Sequence, residues 1–301
     1  MKKFNFLFIL CAMMAFTSCL NNDSDDTQTT VTRNYTQCFN SVYDNATGEI
    51  VLTAQPKYVF NIIYKGDGSI YGQISMTNVS LGIDIPYTNF DLPELKFTLT
   101  GNSAPVIKAT DVFPTNLANA HAVTFTEVRL SVLDRVLKNE NTLQQEIYTA
   151  YSLSFTVNNR YEVTVYPTQY YYFGTTGTVA DADGSEFSTT SPRYAISLNP
   201  QTKKASIDIT GAQFVSNMPA MNMTFGDIDF TTTRGNLVME KDALTPTINN
   251  TPFPTFPISE LTAMLNPEKT TGTLRFNCTA ATMGAYKVAV ALQEEPINPK
   301  N

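Results

Sequence analysis

Apolar and polar side chains alternate along most of this chain. Tyr58, Phe60 and Ile62 fall on one side of a run whose other side is polar or mixed, and Leu95/Phe97/Leu99 and Leu153/Phe155/Val157 repeat the pattern. A two-residue period is the period of a strand, and a polar opposite face predicts antiparallel sheets packed on one side. Asn158-Asn159, between Val157 and Tyr161, reads as a hairpin turn because asparagine tolerates positive φ. Helix signals are few. Ser259–Leu265 carries an N-cap serine and is closed by Pro267, which predicts two helical turns. Val128 to Lys138 fits either period. Thr251–Pro257, with prolines at 252, 254 and 257, predicts an extended surface crossing, since proline has no N–H to give a central ladder.

The alternating segments recur. Pro56-Lys57-Tyr58 and Pro192-Arg193-Tyr194 open similar strands 136 residues apart, and the same offset pairs Tyr35 with Tyr171 and Gly48 with Gly184. A turn follows each anchor. Then Ile70, Gly72, Ile74 and Met76 match Ala205, Ile207, Ile209 and Gly211 at an offset of 135, as Phe90 matches Phe225. Leu153-Ser154-Phe155 matches Leu274-Arg275-Phe276, and Tyr161-Glu162-Val163-Thr164-Val165 matches Tyr286-Lys287-Val288-Ala289-Val290, at shorter offsets. Two copies of this length make no solenoid. The expectation is an all-β protein of two tandem, internally duplicated antiparallel β-sandwich or small-barrel domains with little helix. Residues 34–169 form the first copy, 170–296 the second, and 297–301 a tail. In both copies the anchor tyrosine is expected to bury its ring and send its hydroxyl to the domain rim.

The first residues break the pattern. Lys2 and Lys3 precede a stretch from Phe4 to Phe16 that is apolar except for Asn5, too short for a permanent membrane helix, and Thr17-Ser18-Cys19 closes it. This resembles the lipobox of bacterial lipoproteins. The resemblance implies a signal peptide over 1–18 and a diacylglycerol on Cys19, which becomes the new N-terminus. Asp23, Ser24, Asp25 and Asp26 then resemble the acidic export signal of surface-exposed lipoproteins of the Bacteroidetes kind. A polar segment completes 19–33, expected as a lipidated N-terminus and disordered linker. Localisation follows: attachment to the outer membrane by acyl chains, with the body displayed on the cell surface and a periplasm-facing anchor as the alternative.

Charge narrows the partners. The 20 Lys and Arg, less Lys2 and Lys3, leave 18 against 27 acidic residues, so the chain after residue 18 carries a net −9. That excludes nucleic acid as a partner, which needs clustered cations. It leaves membrane attachment to the acyl chains.

Candidate chemistry is thin. His121 is the one histidine, and no Gly-x-Ser-x-Gly elbow accompanies it. Asp181, Asp183 and Glu186 superficially resemble a calcium loop, but the twelve-residue spacing is missing. Met218, Met221 and Met223 place three thioethers together. Ile83, Pro86 and Thr88 stand at the matching positions of the first copy, so packing accounts for them better than copper. Acid pairs such as Asp91/Glu94 and Asp227/Asp229 carry no mark of a glycosidase pair. Tyr170-Tyr171-Tyr172 is a candidate stacking platform for a ligand. Cys38 and Cys278 are a candidate disulfide, with two buried free thiols as the alternative. These features favour a non-enzymatic binding or interaction module at the cell surface, acting on an unknown ligand or envelope protein without a cofactor. A structural envelope component and a polymer-degrading hydrolase are the alternatives.

Overall fold

The computed structural model describes residues 28–81, 84–98, 105–119, 122–138, 145–180, 184–216, 218–267, 270–280 and 284–294. Cys19, the acidic segment 23–26, the tail 297–301 and His121 lie outside the described residues, as do Asp181 and Asp183. Strands dominate, and there is no α-helix among the described residues.

Eleven strands build the first sheet: β1 (Thr29–Tyr35), β2 (Cys38–Asp44), β3 (Ile50–Ala54), β4 (Lys57–Tyr64), β5 (Ile70–Val79), β6 (Thr88–Asp91), β7 (Leu95–Thr98), β8 (Val106–Ala109), β9 (Phe125–Lys138), β10 (Gln145–Val157) and β11 (Tyr161–Pro167). Eleven more build the second: β12 (Gln169–Ala180), β13 (Glu186–Thr189), β14 (Arg193–Asn199), β15 (Lys204–Ala212), β16 (Met221–Thr233), β17 (Asn236–Leu244), β18 (Thr247–Ile248), β19 (Thr251–Pro252), β20 (Ile258–Asn266), β21 (Thr271–Ala280) and β22 (Gly284–Glu294). All pairing is antiparallel.

The second sheet is a closed barrel. Its order β15-β14-β12-β22-β21-β20-β17-β16 returns to β15. The first follows the same course but stays open. In the second copy β12 pairs along its length first with β14 and then with β22. In the first copy that path is split: β1 pairs with β4 and β2 with β11. Tyr35 lies opposite Tyr58 as Tyr172 lies opposite Tyr194, whereas Cys38 lies opposite Pro167 as Gly174 lies opposite Leu292. Two residues, Thr36 and Gln37, therefore separate Tyr35 from Cys38 where one, Phe173, separates Tyr172 from Gly174. The extra residue at Thr36-Gln37 breaks the strand and opens a seam.

Register fixes the correspondence and corrects the offsets read from sequence. The equivalent of Tyr35 is Tyr172, not Tyr171; Tyr172 is 3% exposed and Tyr171 37%. A one-residue slip turns a side chain to the other face. Met76 faces Tyr58 as Ile209 faces Tyr194, so this region matches at 133 rather than 135. Phe90 then corresponds to Met223, and Met218, Met221 and Met223 correspond to Ile85, Thr88 and Phe90. The late hairpins agree with the sequence: Leu153–Val165 and Phe155–Val163 repeat as Leu274–Val290 and Phe276–Val288.

The clearest mark of duplication is a bulge. Asn78 (φ 59°) and Gly211 (φ 70°) sit at the same bulged position, and each backbone N–H donates to an asparagine Oδ1, of Asn89 and Asn222 respectively, at 3.1 Å. The left-handed region suits Asn and Gly because other side chains crowd the backbone there.

Three local expectations are overturned. Ser259–Leu265 belongs to strand β20, with Leu261, Ala263 and Leu265 buried and Glu260 bulged at φ 52°. Ladders to β17 and β21 supply its hydrogen bonds, and a short apolar run is read equally well by either period. Residues 29–33, expected as linker, form most of β1, since Thr and Val suit an extended strand and β4 offers a complete partner register. The Pro-rich segment is no mere surface crossing: Phe256 is buried, with its ring 5.9 Å from that of Phe214. Asn158 and Asn159 do adopt positive φ, 51° and 55°, at the β10–β11 turn.

Two apolar clusters follow the two copies, with one exchange. Phe39 on β2 and Tyr166 on β11 belong to the second core. Their rings stack at 5.5 Å, and Phe39 meets Phe230 at 5.8 Å. Phe230 lies beside the β14–β15 turn, its N–H donating to Lys203 O at 3.1 Å. The outer face of the first sheet thus stoppers one end of the second barrel.

Candidate interdomain groove

Beside that stopper the two domains enclose a groove of about 310 Å³. Its floor is the outer face of the first sheet, where register aligns two rungs across four strands. One rung runs Arg129, Ser154, Thr164, Ser41. The next runs Glu127, Thr156, Glu162, Tyr43. These positions are polar because the alternation that buries Val128, Phe155, Val163 and Val42 turns them outward. The wall is the β16–β17 turn, Thr233-Arg234-Gly235.

A few polar contacts fix this wall. Ser41 and Thr232 share a buried hydroxyl–hydroxyl bond of 2.6 Å. Arg234 Nη2 donates to Asn45 Oδ1 at 2.6 Å and to Glu162 Oε1 at 2.9 Å, and its guanidinium lies 4.1 Å from the centre of the Tyr43 ring. At the far side of the floor Arg129 pairs with Glu127, Nε donating to Oε1 at 2.8 Å. Each arginine has its own carboxylate, so the groove balances two cations with two anions and presents hydroxyls between them.

Behind the β2–β3 loop, Arg160 grips Asp44 with two N–H···O bonds of 2.9 and 2.8 Å and reaches Asp84 at 2.5 Å. The Arg160 hydrogen bonds hold the Asp44 carboxyl down at about 2, with further help from the Ala46 and Thr47 amides. Tyr161 O–H also donates to Asp84, at 2.9 Å. This is a clasp that orders the groove's neighbouring loop.

The site residues proposed from sequence do not meet here. Tyr170 and Tyr172 are buried with their rings 6.1 Å apart and nearly parallel inside the second core, which leaves Tyr171 alone outside; the three-ring platform is not formed because strand alternation divides them. Cys38 and Cys278 are free and buried in separate cores, so the candidate disulfide is not made; burial pushes both thiols up to about 12. Of the calcium candidates, Glu186 is exposed at the start of β13, and no group of three or more potential metal ligands occurs among the described residues. Glu94 pairs with Lys65 at 3.0 Å, and Asp227 and Asp229 share Lys204.

The groove itself was missed from sequence. Ser41 and Thr232 are 191 residues apart, and its rungs join four strands that no local motif links. No family model, curated protein or solved structure matches this chain.

Proposed function

We propose that this protein is a lipid-anchored surface lipoprotein of the outer membrane that acts as a non-enzymatic binding module. Thr17-Ser18-Cys19, closing a basic then apolar start, carries the reading. The first strand begins at Thr29, ten residues after Cys19, so a fully extended tether spans about 35 Å at most. The body would then stand close to the bilayer, with the interdomain groove as its binding site. Among the described residues, the carboxylates whose acidity departs from the ordinary, Asp44, Asp67 and Asp227, are all shifted downward by hydrogen-bond partners. Such groups are fixed anions, suited to holding loops and partners rather than to donating a proton.

The test is metabolic labelling with a radioactive fatty acid, followed by detergent partitioning and protease treatment of intact cells. Label on the wild type, its loss in Cys19→Ala, and cleavage without lysis are the expected results. Label that persists in Cys19→Ala, or a protein cleaved only after lysis, would overturn the anchor or the display respectively. A second reading, an envelope component that recruits a partner strand, draws on β1, which ends the path of the first sheet with β4 as its strand partner.

A further inference from the structure

We propose that the interdomain groove binds a short neutral saccharide. This rests on the binding-module reading above and names the ligand class for its site. The chemistry of the lining selects it. Ser154, Thr156 and Thr164 project side by side from β10 and β11, and each hydroxyl can both donate and accept. A ligand rich in hydroxyls matches such a floor, since every sugar OH is itself donor and acceptor. Glu127 and Glu162 accept hydrogen bonds, while Arg129 and Arg234 donate in a plane, the combination that grips adjacent hydroxyls from both ends.

Charge excludes the competing classes. A phosphate, a sulfate or a nucleic acid requires an excess of cations, and here each arginine already faces a carboxylate. A cationic ligand meets the same neutral balance. An apolar ligand finds little: Ile50 and the edge of Tyr43 are the principal apolar side chains of the lining, and Arg234 lies over the tyrosine ring. The volume of about 310 Å³ stands at the lower limit of small-molecule sites, which suits one or two sugar rings rather than a long chain. Position agrees, since clefts between domains are frequent ligand sites.

The second copy differs at the equivalent positions. The strand pairing puts Thr262, Arg275, Ala289 and Gly177 where the first copy has Arg129, Ser154, Thr164 and Ser41. Two hydroxyl positions become Ala and Gly. The hydroxyl-lined face belongs to the copy walled by the β16–β17 turn.

Calorimetric titration of the protein, residues 19–301, with cellobiose and with maltose tests the proposal, with sodium sulfate and glucuronate as charged comparisons. Saturable binding of at least one disaccharide, at least tenfold tighter than sulfate or glucuronate, is expected. Ser154→Trp, which fills the floor from an outward position, should weaken it at least tenfold, as should Arg129→Ala; circular dichroism melts confirm that both variants fold. Absence of saturable binding by both disaccharides, tighter binding of sulfate or glucuronate, or affinity unchanged in folded Ser154→Trp would each overturn the saccharide. Failure here with acylation and surface cleavage intact sinks the ligand alone; loss of acylation sinks the anchor and leaves the titration to stand by itself.

Discussion

The Tyr58 hydroxyl donates to Asn40 Oδ1 at 2.7 Å across the interior of the first domain. The second domain repeats the bond between Tyr194 and Thr176 at 2.8 Å, again eighteen residues apart. Asn40 and Thr176 are 0% exposed, so each hydroxyl ends inside the core and not at the rim expected from sequence. Both bonds link the strand after the anchor proline to the equivalent neighbour, β4 to β2 across the seam of the first sheet and β14 to β12 within the closed barrel. Tyr58→Phe and Tyr194→Phe should each cost about 1–3 kcal/mol, because a buried acceptor or hydroxyl is left without its partner. Denaturant melts measure it. In a cycle with Asn40→Ala, the second substitution should cost much less than the first; full additivity would show that the bond contributes nothing.

At the shared bulge, the two copies predict each other's tolerance. Asn78→Gly should cost little, since Gly211 already fills the same position with the equivalent asparagine acceptor and the change gives up only the exposed bond from Asn78 Nδ2 to Gln55 O at 3.1 Å. Gly211→Ala should cost about 1–2 kcal/mol from the left-handed backbone alone, because an added Cβ meets nothing closer than Ser191 O at 4.0 Å. A thermal shift series over these variants separates backbone strain from crowding.

Acid should loosen the Asp44 clasp. The Asp44 carboxyl is held at about 2 in the folded state against an ordinary 3.8, so the unfolded chain takes up the proton first. Its contribution is therefore full above about 4 and is lost as pH falls from there towards 2. In Arg160→Ala the carboxyl, followed by carbon-detected NMR titration, should return towards 3.8. A midpoint that stays near 2 would mean the loop amides alone hold it down.

The thiols should be silent in the native protein. With both cysteines buried and pushed up to about 12, a thiol reagent at pH 8 should label neither Cys38 nor Cys278 until denaturant is added. Reducing agent should leave the melting temperature unchanged, since no cross-link joins the two cores.

Phe39→Ala tests the exchange between domains. Removing a fully buried aromatic should cost about 3–5 kcal/mol, and the loss should appear in the second barrel although the residue sits on β2. Amide exchange resolved by residue reads it: faster exchange in β14 and β16 is expected, and acceleration confined to β2 and its neighbours would refute the stopper.

Much of this fold was legible from alternation. Tyr58 and Tyr194 marked equivalent strands because each follows proline and a basic residue and then keeps a two-residue period, which core packing on one face enforces. The offsets drifted where the pattern carries no information. One additional residue at Thr36-Gln37 shifts Tyr35 from Tyr171 to Tyr172, and shortening of the β14–β15 hairpin moves the 135 match to 133. Two neighbouring tyrosines look alike in a sequence, and only hydrogen-bond register separates them. The groove was beyond reach for another reason. Arg129, Thr164 and Arg234 are ordinary outward residues of their own strands and turn, and their convergence depends on how two domains meet.

Phe39 and Tyr166 make the two copies unequal. Once one copy supplied the stopper for the other, the pair ceased to be interchangeable beads. A gene segment encoding the second barrel alone would yield a barrel with an uncapped apolar end at Phe230, whereas the first copy keeps its own core without borrowing from its sister. Recombination can therefore shed the second unit far more easily than the first. Two aromatic rings thus make the second unit depend on the first.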